Sequence, residues 1–323
     1  MTALTLGFIP LTDCAPLMVA REKGFFSDEG LAVSLSREAS WATLRDKVVF
    51  GALDGAHMLG PMAIAATLAA DRPSAAMIAP MALNRNGAGI TVSTALAEQM
   101  RERPLAAVIA ARRAAGAPPL TFAVVFPFSI HNYALRDWLV AAGVDPDRDV
   151  SIVVVPPPRM VEQLADGRID GFCVGAPWNA VAMATGAGEV QATTSTLLPG
   201  APDKVLGVSG AWMSRDQRPL DGLLRALTRA GVWADARENR EELAALLSRP
   251  DAVGVPAAAI ARALDNEIVF QADGASVPSQ ADALWILSQM QRWEQLAAGV
   301  DVAAIAARVY RADLLEKALA GPR

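Results

Sequence analysis

The chain has 323 residues, room for two domains at roughly 150 residues each, and its 29 basic against 34 acidic side chains give a formal charge of −5. An acidic chain lacks the electrostatic footprint of a nucleic-acid-binding surface. Two cysteines, Cys14 and Cys173, and two histidines, His57 and His131, exclude a disulfide scaffold, a cysteine-rich zinc site and a multi-histidine metal centre.

Strand-like and helix-like segments alternate from the start. Residues 4–9 predict a strand, and Pro16 stands where a first-turn proline belongs, ahead of a helix over Leu17 to Lys23 that Gly24 stops. Leu31 to Leu35 is the next strand, and Ser40 can cap a helix from Trp41 to about Phe50, ending at Gly51. The stretch Asn84-Arg85-Asn86-Gly87-Ala88-Gly89 breaks the pattern and predicts a crossing between domains before Ile90-Thr91-Val92.

The middle third repeats the unit. Leu120 to Phe126 predicts a strand, followed by a helix from about Ile130 to Ala142 whose Leu135, Trp138, Leu139 and Ala142 share one face. Ile152 to Val155 is a strand closed by Pro156-Pro157-Pro158; Ile169 to Val174 is another, with Pro177 as the first residue of a further helix. After about residue 214 the chain turns helical, with Leu220, Leu223, Leu224 and Leu227 in one stripe and a capping-box-like start at Asn239 and Glu242. Such alternation predicts an α/β protein with mainly parallel sheets in two lobes that need not be contiguous in sequence.

Enzyme signatures are absent: there is no P-loop, HExxH, GxSxG, EF-hand loop, or GxGxxG after the first strand. Cys14 reads as a buried structural thiol rather than a nucleophile. No run approaches the ~18 uninterrupted apolar residues of a membrane span. What stands out instead is polar residues at strand-to-helix turns, where open α/β sheets bind ligands and helix N-termini favour anions. Three turns have this context: Ser40-Trp41, Ser129-Ile130-His131 and Gly175-Ala176-Pro177-Trp178. Taken alone, Trp41 reads as packing, His131 as a satisfied polar residue, and Lys204 in Pro202-Asp203-Lys204 as a solvated lysine.

At these same residues the sequence resembles the nitrate-binding NrtA/NasS family. The resemblance is carried by Leu11-Thr12-Asp13-Cys14-Ala15-Pro16-Leu17, Glu22-Lys23-Gly24-Phe25-Phe26, Ala39-Ser40-Trp41-Ala42-Thr43-Leu44-Arg45-Asp46 and Gly55-Ala56-His57-Met58. It continues in Phe126-Pro127-Phe128-Ser129-Ile130-His131-Asn132-Tyr133, Val155-Pro156-Pro157-Pro158 and Asp170-Gly171-Phe172-Cys173-Val174-Gly175-Ala176-Pro177-Trp178-Asn179, in family order over most of residues 4–213. The resemblance implies a type II periplasmic-binding-protein-like α/β fold, two lobes with mainly parallel sheets around a ligand cleft. Residues 1–87 and 205–323 would form lobe 1, with a helical C-terminal part, and residues 88–204 lobe 2.

The resemblance also implies nitrate or nitrite as ligand, no catalysis, no cofactor and no metal. Trp41 would pack and hydrogen-bond against the anion, His131 would donate from the second lobe, the Gly175 backbone would approach closely, and Lys204 would match the charge. Bicarbonate-binding relatives carry an acidic residue at the lysine position to recruit calcium, so Lys204 disfavours both. Ala88 replaces a family glutamine, leaving Asn84 or Asn86 to compensate; Asn86 is included among the ligand contacts. Met1-Thr2-Ala3 leads straight into the first strand without a signal-peptide pattern. On that ground the expected class is the cytoplasmic NasS-type nitrate/nitrite sensor, which holds a NasT-like ANTAR antiterminator until the anion releases it. The alternative is the substrate-binding component of a nitrate ABC transporter.

Overall fold

The apolar runs become strands in the computed structural model, which describes residues 1–70, 73–215, 217–265 and 268–321. Among the described residues the strands are β1 (Thr2–Phe8), β2 (Leu31–Arg37), β3 (Gly55–Leu59), β4 (Met77–Arg85), β5 (Ala88–Ser93), β6 (Leu120–Val124), β7 (Val150–Val154), β8 (Gly171–Gly175), β9 (Gly188–Thr193) and β10 (Pro202–Ser209). They form two five-stranded sheets, ordered β2-β1-β3-β10-β4 and β7-β6-β8-β5-β9.

Both sheets are mixed rather than mainly parallel. Strands β1, β2 and β3 run parallel, as do β6, β7 and β8. β10 is antiparallel to β3 and β4, and β5 is antiparallel to β8 and β9. The physical reason is delivery. A parallel neighbour needs a crossover made within its own sheet, whereas β5 and β10 are the first strands after the chain passes from one lobe to the other.

The first crossing is two residues long, Asn86-Gly87, and both have positive φ, 58° and 86°. The left-handed region suits Gly and is tolerated by Asn. The second lies between β9 and β10 and includes the short helix Thr194–Leu197. It therefore ends a few residues before the expected boundary at 204/205, and Asp203 and Lys204 belong to the first lobe's sheet.

Capping follows the sequence at the turns that matter. Ser40 accepts the Thr43 N–H at 3.2 Å and starts the helix Trp41–Val49, and Ser129 accepts the Asn132 N–H at 3.1 Å and starts the helix Ile130–Ala141. The box expected at Asn239 does not form. Asn239 is the last residue of the 3₁₀ turn Arg237–Asn239, has αR backbone, and donates its side-chain amide to the Trp233 carbonyl at 2.9 Å. Glu242 instead accepts from Lys23 at 2.6 Å.

Leu220, Leu223, Leu224 and Leu227 are fully buried on the helix Arg218–Asp235, which packs on the helix Ala15–Glu22. Each buried leucine contributes about 2 kcal/mol of transfer free energy, enough to anchor the C-terminal helices to the first lobe. Those helices also reach the second lobe: Ala257–Leu264 packs on Trp178–Ala184. Among the described residues no helix is long and apolar enough to cross a membrane.

Candidate functional site

The carboxyl ends of β1 and β3 and the amino end of the antiparallel β10 converge on a buried ionic cluster. Asp13 lies on the 3₁₀ turn Thr12–Cys14 that follows β1, with helix Ala15–Glu22 directly after it. His57 is on β3. Antiparallel pairing sets Leu206 of β10 opposite His57 and Lys204 opposite Leu59. Since strand side chains alternate with period two, Lys204 shares a face with His57.

Asp203 precedes Lys204, and in a regular strand the two would point to opposite faces. The β10–β4 register shifts on both sides of Lys204, between Pro202 and Lys204 and between Lys204 and Val205. This irregularity re-aims the side chains, and Asp203 Oδ2 meets Lys204 Nζ at 2.5 Å. Asp13 Oδ2 meets the same ammonium at 2.8 Å. Asn84 fixes the strand here: its Oδ1 accepts the Lys204 N–H at 3.2 Å, and its Nδ2 donates to the Asn86 carbonyl at 2.9 Å.

Both histidines join this ionic core. His57 Nε2 is 2.7 Å from Asp13 Oδ1. His131, second residue of its helix in the other lobe, places Nε2 3.3 Å from Asp203 Oδ2. Trp41 closes one side, its ring 5.5 Å from the His57 ring and 5.8 Å from Lys204 Nζ. Asp13, Trp41, His57, His131, Asp203 and Lys204 are all at most 2% exposed.

Burial alone would push the Lys204 ammonium below its ordinary range, but Asp13 and Asp203 outweigh it and hold the lysine above. Burial likewise opposes ionisation of Asp13 and Asp203, and Lys204, with the adjacent histidine in each case, holds both carboxyls below the usual range. The lysine is therefore charged and so are both aspartates. This corrects the charge balance expected from sequence, in which Lys204 was a spare cation: its charge is already met twice.

Several buried polar atoms around this core find no hydrogen-bond partner among the described residues. They are Trp41 Nε1, His57 Nδ1, His131 Nδ1 and Asp203 Oδ1. Buried polar groups are normally satisfied, so such a set makes this cluster the candidate site for a small polar ligand.

The second lobe faces the cluster closely. Thr12 donates its N–H to the Ala176 carbonyl at 2.8 Å, and Trp178 Nε1 donates to the Pro10 carbonyl at 3.2 Å. A Cβ on Gly175 would lie 3.2 Å from Asp13 Oδ2 and 3.5 Å from Leu11. Of the residues singled out in sequence, the structure brings Trp41, His131, Gly175 and Lys204 together. Asn86 stands apart: its carbonyl meets Asn84, its N–H donates to the Ala201 carbonyl, and its side-chain oxygen finds no partner among the described residues. Ala88, in the position of the family glutamine, is buried opposite Gly175, its backbone N–H donating to Thr194 Oγ1 at 3.2 Å.

Three members of the cluster were not singled out in sequence: Asp13, His57 and Asp203. A signal existed for His57, a histidine inside the otherwise apolar strand Gly55–Leu59, where a buried imidazole needs a partner. Asp203 had none, because only the strand irregularity turns it inward.

Comparison with known proteins identifies the architecture. A match to the NMT1-like family spans residues 1–248. The nitrate/nitrite binding protein NrtA of Synechococcus elongatus is 34% identical over 98% of this chain and 77% of its own length. The nitrate import ATP-binding protein NrtC of a Synechocystis species is 36% identical over 98% of this chain, which spans only 49% of that longer relative. The crystal structure of the periplasmic nitrate-binding protein NrtA from Synechocystis PCC 6803 superposes with a TM-score of 0.92 at 33% identity, covering 98% of this chain and 88% of that one. The chain belongs to the NMT1-like family, is homologous to the NrtA proteins, and has their α/β periplasmic-binding-protein fold. These NrtA homologues are binding proteins, not enzymes.

Proposed function

We propose that this chain binds nitrate or nitrite between its two lobes. The observation that carries the reading is the set of buried ring nitrogens with no hydrogen-bond partner among the described residues, Trp41 Nε1, His57 Nδ1 and His131 Nδ1, gathered around the Lys204 ammonium in a homologue of nitrate-binding proteins. A planar anion offers acceptor oxygens in several in-plane directions, and donors from both lobes reach it only when the lobes are closed. Trp41 and His131 donate to the anion, Lys204 contributes positive field from below, and Gly175 lets the second lobe's backbone come near. Asn84 serves by fixing the β10 backbone at Lys204. A lysine rather than an acidic residue at position 204 favours nitrate and nitrite over calcium-dependent bicarbonate.

The finer role in this proposal is a cytoplasmic sensor of the NasS type, in which the anion favours the closed form and a NasT-like ANTAR antiterminator favours the open one. The support is the sequence resemblance. Linkage then requires that partner binding weaken anion binding by the same factor by which the anion weakens partner binding. Homology to NrtA supports a second reading equally, the substrate-binding component of a nitrate ABC transporter.

Calorimetric titration with nitrate, nitrite and bicarbonate tests the ligand. Trp41→Phe, which removes an N–H that bonds nothing else among the described residues, is expected to weaken nitrate binding by about ten- to a hundredfold, the range of a hydrogen bond to a charged group. No binding of nitrate or nitrite, or unchanged affinity in the variant, overturns the proposed site. Adding a purified ANTAR protein separates the roles: equal nitrate affinity with and without it excludes the sensor.

A further inference from the structure

The helix Trp41–Val49 carries a charge on its buried face. Its buried side chains are Trp41, Leu44, Arg45 and Val48, at i, i+3, i+4 and i+7 on one stripe. Three are apolar; the fourth is Arg45, its side chain only 6% exposed. Arginine is almost never buried so deeply unless its charge is met. Asp46 Oδ1 accepts from Arg45 Nε at 2.8 Å and lies 2.6 Å from Nη2, but this pair joins neighbours on one helix and holds however the lobes are arranged.

A second contact crosses between the lobes. The Arg45 guanidinium carbon lies 5.8 Å from the centroid of the Phe126 ring, within the reach of a cation–π attraction. Phe126 follows β6 in the other lobe, is buried, and has the Phe128 ring 6.3 Å away. Its carbonyl accepts the Ser129 hydroxyl at 2.6 Å, and Ser129 caps the helix whose second residue is His131. Trp41 and Arg45 therefore belong to one rigid piece, and Phe126 and His131 to another. The residues assigned to the anion and the two partners of this contact approach and part together.

Resting on the anion-binding reading above, we infer that Arg45 and Phe126 form a gate across the cleft, a contact made only when the lobes are closed, which sets how tightly the site holds its anion. Both are positioning residues: they act on the anion through closure, which brings Trp41 and His131 to it from opposite sides. A contact present in one conformation alone shifts the population toward that conformation, and apparent affinity scales with the fraction of protein in the binding-competent form. A cation–π contact taken out of water shifts such a balance by about five- to thirtyfold. The gate also accounts for the placement of an arginine on an otherwise apolar stripe, since its charge has a partner ring only in the closed form.

The test is a double-mutant cycle read by calorimetric titration of the full chain with nitrate. Arg45→Met and Phe126→Leu should each weaken binding by about tenfold, and the double variant no more than either alone. Phe126→Tyr, which keeps the ring, and Asp46→Asn, which removes only the pair within the helix, should stay close to the native affinity. Additive losses, or a loss in Asp46→Asn equal to that in Arg45→Met, overturn the gate and make Arg45 a structural residue of its own lobe. Unchanged affinity in both single variants overturns it as well. The native chain supplies a second readout that stands even if a variant does not fold. Phenylglyoxal, a reagent for accessible arginines, should modify Arg45 in the ligand-free protein and spare it at saturating nitrate, as read by peptide mass spectrometry. Arg148, with its side chain 85% exposed, should react equally in both. Equal reactivity of Arg45 with and without nitrate overturns the gate and leaves the anion site standing. Failure of the native chain to bind nitrate or nitrite at all overturns the underlying reading instead.

Discussion

Replacing Lys204 by methionine would remove the one ammonium that holds two buried carboxylates in place. At 2.8 and 2.5 Å the two attractions are each about 6 kcal/mol in gross terms at an effective dielectric near 20. Most of that offsets desolvation, and breaking a buried ion pair by deleting one partner costs about 3–5 kcal/mol net. Set against a typical folding margin of about 5–15 kcal/mol, Lys204→Met should lose a large part of the protein's stability at neutral pH. The pH dependence provides the sharper check. In the native protein the Asp13 and Asp203 carboxyls are held below their ordinary range, so their contribution is present above about pH 4 and lost as pH falls through the folded values. Without the lysine, burial dominates and raises both carboxyls, so their contribution is instead lost as pH rises. Urea unfolding at about pH 5 and 7.5 should therefore leave the native protein nearly level over this window. The variant should be clearly less stable at the higher pH, and Asp13→Asn in the same chain should recover part of the loss. A variant that loses less than about 1 kcal/mol at the higher pH, within the range of a surface ion pair, and keeps the native pH trend would refute the reasoning.

Three further outcomes follow from packing. Gly175→Ala sets a methyl 3.2 Å from Asp13 Oδ2 across the lobes; nitrate affinity should fall by about tenfold, about 1.4 kcal/mol, with urea stability little changed, and unaltered affinity would show that the lobes do not close on this contact. Gln295→Ala removes two bonds between the lobes, Tyr133 Oη to Gln295 Oε1 at 2.9 Å and Gln295 Nε2 to the Pro127 carbonyl at 3.1 Å. At about 1 kcal/mol each, small-angle scattering should detect a more extended ligand-free protein, and an unchanged radius of gyration would count against this latch. Leu224→Ala, in the fully buried stripe of the helix Arg218–Asp235, should cost about 2–5 kcal/mol in urea unfolding while leaving nitrate affinity intact in the folded protein.

The local elements were legible because each rests on short-range physics. Ser40 and Ser129 cap their helices as their sequence positions suggest, Pro16 opens its helix, and the leucine stripe after residue 218 is buried as its spacing requires. The failures were also local in appearance but tertiary in cause. The Asn239 box is lost because that residue closes the 3₁₀ turn Arg237–Asn239 and so already has helical backbone. The sheets are mixed because β5 and β10 arrive from the opposite lobe, a fact about chain routing that no window of residues contains.

At the site the same division holds. Trp41, His131 and Gly175 could be named because each sits at a strand-to-helix turn inside a block that resembles the family, whereas Lys204, a solvated lysine when read alone, was named only through that resemblance. What the tertiary structure decided was the company they keep. Asp13, His57 and Lys204 come from chain positions far apart, and they meet because β1, β3 and β10 are neighbours in one sheet. Asp203 joins them through a register shift, and His131 reaches it from the other lobe. Sequence determines which side chains can carry charge; the distances among them, and hence whether Lys204 is a spare cation or one already claimed by two carboxylates, exist only once the strands pair and the lobes close.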